Sequence, residues 1–536
     1  MGFDSQVRGG YWQEVMLDTK IVNGSVLDGT GGPACRTDIG IAGDCIVDTG
    51  GLAAVEARTV IDATGMFVCP GFIDAHSHSD TYLLIQPSAD SKISQGITTE
   101  VVGNCGASAA PLMGNYQLPS DWREKKYAGD WSTVAEYRVL LGRARPAPNV
   151  VLLVGHNTLH AGVMGYENRT ATAAEVGEMA RRLEQCLEEG ACGLSTGLIY
   201  SPGMFAAREE IVALAAVVGK RGGIYTSHMR SEGKRLIEAI DEVIAIARGA
   251  GVKGQISHLK TAGRENWGLI EKALEGIRTA RAEGVEVNAD RYPYTASCTD
   301  LDVIFPTWAA EGGQTAVLAR LKDPSLRKCL RTDLLKSRSD DYWKAVMIGS
   351  TAHADNAGFH GMYLSDVATR LGLEPVDAAL SLMEKDELKT SAFFFGMSEE
   401  NLLRILAEPY VMIGTDASLR APSGPLGSDY PHPRAYGSFP RFLRMCLDGK
   451  VVPLPEAIRK MTSLPAATFG LHDRGSIKRG AKADMVVFDP VTVRDTAWYD
   501  NPHSLATGIE HVLVNGIHTV KDGNLTGERA GQFLAR

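Results

Sequence analysis

Two histidines one residue apart close the segment Pro70-Gly71-Phe72-Ile73-Asp74-Ala75-His76-Ser77-His78. Phe72, Ile73 and Ala75 read as a short buried strand, and alternate residues of a strand point to one side. His76 and His78 therefore leave its C-terminal end together and offer half of a metal site. A His-x-His pair in isolation is commonly an ordinary loop; the strand that aims it makes it a ligand pair. Four more residues of ligand chemistry follow short strand-like runs. Cys105 lies in Gly-Asn-Cys-Gly, His228 ends Gly-Ile-Tyr-Thr-Ser-His, His258 ends Gly-Gln-Ile-Ser-His, and Asp416 ends Tyr-Val-Met-Ile-Gly-Thr-Asp. One thiolate and two imidazoles, Cys105, His228 and His258, form a set suited to Zn²⁺ with one position left for water. His76, His78 and Asp416 form a second set, with Cys105 able to bridge. Zinc held this way lowers the pKa of its water and polarises a carbonyl.

Six ligands so far apart in the chain meet only if a fold gathers strand ends. A parallel barrel does so, because its strand-to-helix loops share one end. Candidate strands end near Asp74, Val102, Leu153, Leu194, Ser227, Ser257, Ala289 and Thr415. Between them run helical patterns. In residues 172–190 the stripe Val176, Met179, Ala180, Leu183, Cys186, Leu187 has helical spacing, and residues 234–249 and 268–282 behave alike. The expectation is an α/β fold, a (β/α)8 TIM-like barrel over residues 69–473. The gap after the seventh strand, about 295–409, is longer than the others, and residues 300–350 within it read as an inserted subdomain or lid. Residues 15–68 and 474–536 share a strand-and-tight-turn texture (Asn23-Gly24, Asp28-Gly29, Asn515-Gly516, Asp522-Gly523). They read as one small β-sandwich domain split between the chain ends. Residues 1–14 read as a disordered lead.

A chain of 536 residues with 44% hydrophobic and 22% charged residues fits a soluble protein of more than one domain. A net charge of −9 argues against nucleic acid and against anionic membrane surfaces. An anionic substrate must then be drawn by local cations. The nine cysteines show no paired framework, and Cys69, Cys186, Cys192 and Cys446 sit in apolar contexts as reduced core residues. Neither a signal peptide nor a run of membrane-spanning length is seen, so the expected location is cytoplasmic. Oligomeric state is not legible. Gly193-Leu194-Ser195-Thr196-Gly197 has the letters of a nucleophile elbow, but a loop, not a helix, follows it.

The His76-x-His78 pair, His228, His258, Asp416 and the split β domain resemble the amidohydrolase superfamily. Many members bridge two metals with a carboxylated lysine from the fourth strand, yet Ala191–Leu198 contains none. Cys105 in Gly-Asn-Cys-Gly instead resembles the cysteine ligand of the D-aminoacylase, or N-acyl-D-amino-acid deacylase, family. His228-Met229-Arg230, Ser257-His258-Leu259-Lys260, Tyr292-Pro293-Tyr294 and His432-Pro433-Arg434-Ala435-Tyr436-Gly437 extend the likeness to about residues 18–530. The resemblance implies one tightly held zinc at Cys105, His228 and His258 and a second, poorly occupied position. It implies hydrolysis of a small N-acyl-D-amino acid, with Asp416 as general base passing its proton to the leaving amine. It also implies an α-carboxylate clamp of Tyr200, Lys260 and Ser297. Arg230, two residues past His228, lines the same mouth or braces a neighbouring loop. His156, after the third strand, orients other groups. Arg420 is a solvated loop residue or a reader of an acidic side chain. Preference for the D configuration comes from the resemblance alone. A cyclic-amide hydrolase (hydantoinase or dihydroorotase) and a scaffold without activity are the competing readings; the missing lysine weighs against the former and six intact ligands against the latter.

Overall fold

Eight short strands run parallel and neighbour one another in chain order: β1 Phe72–Asp74, β2 Ile97–Val102, β3 Asn149–Gly155, β4 Gly193–Gly197, β5 Ile224–His228, β6 Lys253–Ile256, β7 Val287–Arg291 and β8 Val411–Ile413. The computed structural model describes residues 16–123 and 125–536, so the lead expected over residues 1–14 lies outside the described residues. The sheet closes on itself between β8 and β1. Asp416 N donates to His76 O at 2.8 Å, Ala75 N donates to Ile413 O at 3.3 Å, and Ser77 bridges to Ala417. Every residue of β2 and β3 is buried. That is why they read as unbroken apolar runs rather than alternations: barrel strands face helices outside and packed side chains inside.

Helices form the outer ring where the 3.6-residue stripe is clearest. Ala173–Glu188 starts at a capping box, Thr172 and Glu175 exchanging side-chain-to-backbone bonds, and buries Met179, Leu183, Cys186 and Leu187. Leu236–Ala250 and Ile270–Ala282 bury equivalent stripes. Among the described residues, no helix is long and apolar enough to cross a membrane.

A buried lysine clasps the seam. Lys92 Nζ donates to Asp74 Oδ2 at 2.8 Å, to Thr415 Oγ1 at 2.7 Å and to Ala417 O at 2.8 Å, and lies 3.2 Å from Glu100 Oε2. Asp74 also accepts from Thr415 N at 2.8 Å. One cation thus joins the loops after β1 and β8, the loops that carry His76, His78 and Asp416.

The two chain ends share a β domain. Leu17–Val22 pairs with Asp38–Ala42 and Ala57–Asp62 in a four-stranded sheet, while Phe67–Pro70 pairs antiparallel with Met485–Phe488 inside a seven-stranded one. Ile21, Ile39, Ile61, Val68, Met485 and Val487 meet in the core between the sheets. The alternate residues Val486 and Phe488 face the barrel core, so one sheet serves both cores through its period of two.

Between β7 and β8 a three-stranded antiparallel sheet forms from Ala296–Asp300, Ser391–Phe395 and Val346–Ile348, with helices around it. Its hydrophobic core runs from Leu301 to Ala392. The inserted unit therefore extends well past the 300–350 segment read from sequence. Its last strand returns to pair with its first, a contact invisible to local patterning.

Candidate metal centre

All six ligand candidates meet at the C-terminal end of the barrel. Cys105 Sγ lies 3.3 Å from His76 Nε2 and 3.6 Å from His258 Nε2, and His258 Nε2 lies 2.9 Å from His228 Nδ1. On the other side of the thiol, Asp416 Oδ1 is 3.3 Å from His76 Nε2 and 3.2 Å from His78 Nε2. Two overlapping groups result, His76–His78–Cys105–Asp416 and Cys105–His228–His258, each with its donor atoms within 4.8 Å of one another. Cys105 belongs to both, as a bridging thiolate would.

Local backbone geometry aims these groups. Cys105, His258 and Asp416 all have positive φ, at 53°, 38° and 49°. For residues carrying a Cβ this conformation is costly, and it persists where surrounding structure imposes it. Gly106 makes the turn at Cys105 feasible: at φ 82°, a Cβ there would lie 2.2 Å from Asn157 Oδ1. Ser195, the elbow serine of the sequence, supports this turn. Its hydroxyl donates to Gly103 O at 2.5 Å and accepts from Gly106 N at 3.1 Å.

Three charged residues given no role in the sequence reading hold the candidate ligands in place. Asp290, near the end of β7, accepts from His76 Nδ1 at 3.0 Å and from His258 N at 2.9 Å. Glu232 Oε1 is 2.7 Å from His258 Nδ1. Each leaves the opposite ring nitrogen facing the thiol, the tautomer control expected around a metal. Arg434 donates to Asp416 Oδ2 at 2.6 Å. The hint for Asp290 was a carboxylate inside an otherwise strand-like run, and for Glu232 its place four residues past His228.

The electrostatics ask for positive charge at the centre. Burial opposes charge on Cys105, yet His76, His228 and His258 draw its thiol well below the usual thiol range. Burial likewise opposes charge on Asp416, and Arg434, His258 and His76 hold it well below the carboxylate range. His76 and His258 are raised against burial, His76 by Asp290 and Cys105 and His258, to about 9, chiefly by Glu232. A thiolate, four imidazoles and a carboxylate converging on two adjacent points fit a divalent ion with nitrogen and sulfur preference.

A family model described as "Amidohydrolase family" matches residues 59–329 and 411–524. The chain belongs to the amidohydrolase family. The stretch the match skips, residues 330–410, lies within the insertion between β7 and β8. The N-acyl-D-glutamate deacylase of Alcaligenes xylosoxydans xylosoxydans is 38% identical over 97% of this chain and 97% of its own length. The D-aminoacylase of the same organism is 36% identical over 97% of this chain and 98% of its own. The crystal structure of the N-acyl-D-glutamate deacylase from Bordetella bronchiseptica, complexed with zinc and a phosphonate mimic of the tetrahedral intermediate, superimposes with a TM-score of 0.83. It is 38% identical and covers 97% of this chain and 100% of that one.

Around the ligands of this amidohydrolase, the expected substrate residues divide. Tyr200 stands over His228, ring centroids 4.9 Å apart, and its hydroxyl is 3.2 Å from Thr299 Oγ1. Ser297 is two residues before Thr299 on the same strand and so shares its face. Lys260 is buried beside the centre, its ammonium bonded to Glu232 and 2.8 Å from His258 Nδ1. Arg230 turns toward the neighbouring loop. Its guanidinium grips Glu242 at 2.9 Å and donates to Met204 O at 3.1 Å and Ala206 O at 2.6 Å. These bonds brace the loop after β4, the second of the two roles its position in the sequence allows. Arg420 lies 5.0 Å over the Tyr82 ring and donates to Leu419 O at 2.9 Å. His156 stands apart from the centre, against Glu210 at 2.7 Å.

Proposed function

We propose that this amidohydrolase hydrolyses the amide bond of N-acyl-D-amino acids, giving a carboxylate and a free D-amino acid. Cys105, shared between two ligand sets, carries the reading. Cys105, His228 and His258 would hold a tightly bound zinc, and His76, His78 and Asp416 a second position. When bound, zinc polarises the scissile carbonyl and acidifies water. Asp416 accepts the proton of the attacking water and delivers it to the departing nitrogen. Arg434 keeps that carboxylate ionised and turns it through Oδ2, leaving Oδ1 to face the reacting atoms. Asp290 and Glu232 hold His76 and His258 in register during that transfer.

A product amino acid keeps its α-carboxylate, which needs a cation and hydroxyls. Lys260, Tyr200 and Ser297 are the proposed clamp, with Lys260 exchanging part of its bond to Glu232 for the substrate. The D preference and the linear-amide class follow from the relatives named above. β4 holds no lysine to bridge metals, which weighs against a cyclic-amide hydrolase. Relatives named for different side-chain scope lie at 38% and 36% identity, so overall similarity does not choose the α-substituent.

The test is a panel of N-acyl-D- and N-acyl-L-amino acids with acidic, apolar and basic side chains, assayed beside hydantoin and dihydroorotate with the zinc-loaded protein. Turnover of the D series is expected. Turnover confined to the cyclic amides, or to the L series, would overturn the proposal.

A further inference from the structure

A second cluster of metal-binding side chains lies outside the barrel mouth. His156 and His160 occupy successive turns on one face of the helix His156–Met164, which follows β3. Glu210 comes from the first turn of the helix Arg208–Lys220, which follows the loop after β4. His156 Nε2 is 2.7 Å and His160 Nδ1 2.9 Å from the same oxygen, Glu210 Oε1. The imidazole centroids are 5.5 Å apart. Both histidines are fully buried and Glu210 is 4% exposed. Glu210 Oε2 is buried with no hydrogen-bond partner among the described residues.

We infer that His156, His160 and Glu210 form a second, structural site for a divalent ion of zinc-like preference, separate from the centre at Cys105. Two imidazoles and a carboxylate are a ligand set zinc accepts, and Glu210 binding through both oxygens closes a four-coordinate shell and gives Oε2 a partner. Ligand atoms about 2.0–2.2 Å from a tetrahedral ion stand roughly 3.3–3.5 Å apart, so the trio opens by about half an ångström to admit it. His156 Nδ1 and His160 Nε2 point away from the Glu210 oxygen and are buried without a hydrogen-bond partner among the described residues.

The ion would staple two strand-to-helix connections beside the catalytic end. Asn157, next to His156, donates to Gly197 O at 3.1 Å and Tyr200 O at 3.4 Å, and Thr158 N donates to Gly106 O at 3.2 Å. The same helix therefore supports the Tyr200 loop and the Cys105 turn, and its staple stiffens both without touching substrate.

Metal content per chain after zinc saturation and dialysis separates this site from the first. Glu210→Gln and His160→Gln should each lose one equivalent relative to the native protein. In cobalt-loaded protein their thiolate-to-metal absorption from Cys105 should be unchanged. Equal metal content in native and variant proteins would overturn the inference and leave the trio as hydrogen bonds only. If the variants do not fold, anomalous diffraction from zinc-loaded native crystals decides: a peak between His156, His160 and Glu210 supports the site, and its absence rejects it.

Discussion

Asp416 stands between His76 and His78 on one side and Arg434 on the other, and its two oxygens are already divided between them. Asp416→Asn keeps the shape and removes the base. Turnover should fall by on the order of 10²–10⁴ while zinc stays at Cys105, His228 and His258; steady-state kinetics with metal analysis checks both, and a near-native kcat would reject the role. Lys260→Met tests the carboxylate clamp. A hydrogen bond to a charged group is worth about 1.5–3 kcal/mol, so kcat/KM should drop by roughly ten- to more than a hundredfold on an N-acyl-D-amino acid. The drop should shrink on the matching α-carboxamide. Equal proportional losses on the two substrates would assign Lys260 to Glu232 and His258 instead.

Elements place those side chains, and two buried lysines hold elements together. Lys92 lies at the β1–β8 seam among Asp74, Glu100 and Thr415. Lys92→Met would leave two buried carboxylates uncompensated, at a cost of about 3–5 kcal/mol. Urea denaturation should show that loss, and a change below about 1 kcal/mol would mean the seam holds without its cation. Lys460, on the helix Leu454–Met461, is fully buried and donates to Glu408 O in the turn before β8. Burial lowers its ammonium from 10.5 to about 7. The unfolded chain keeps that proton to a higher pH than the folded one, so stability should rise as pH climbs from about 7 toward 10. Lys460→Met should flatten the rise between about pH 7 and pH 9; an unaltered slope would show that folding does not strip the charge.

At the scale of the whole molecule, the metal centre gathers ligands from the ends of β1, β2, β5, β6 and β8. Binding to the folded state alone therefore braces most of the barrel. At free metal near 1,000 times Kd the gain is about 4 kcal/mol, so chelation should lower the calorimetric Tm. Cys105→Ala should begin at a lower value and lose less to chelator than the native protein does; a native Tm indifferent to chelator would contradict the assignment.

The six candidate ligands that meet at the barrel mouth and the alternation of strand and helix were legible in the chain because both are local. A strand's period and the residue just past its end are written in a few adjacent positions. The observed strand ends lie within three residues of those read from pattern, Leu194 against Gly197 being the widest gap. What only the tertiary structure decided is which charge meets which. Asp290 reaches His76 across 214 positions and Lys92 reaches Thr415 across 323, and no periodicity encodes such pairings. Arg230 has the spacing of a substrate ligand, but Glu242 and two carbonyls lie within its reach and take its guanidinium. The insertion's true extent likewise depends on Ser391–Phe395 returning to Ala296–Asp300. Sequence carries the direction in which a side chain leaves its element; the packing of distant elements alone determines what stands there to receive it.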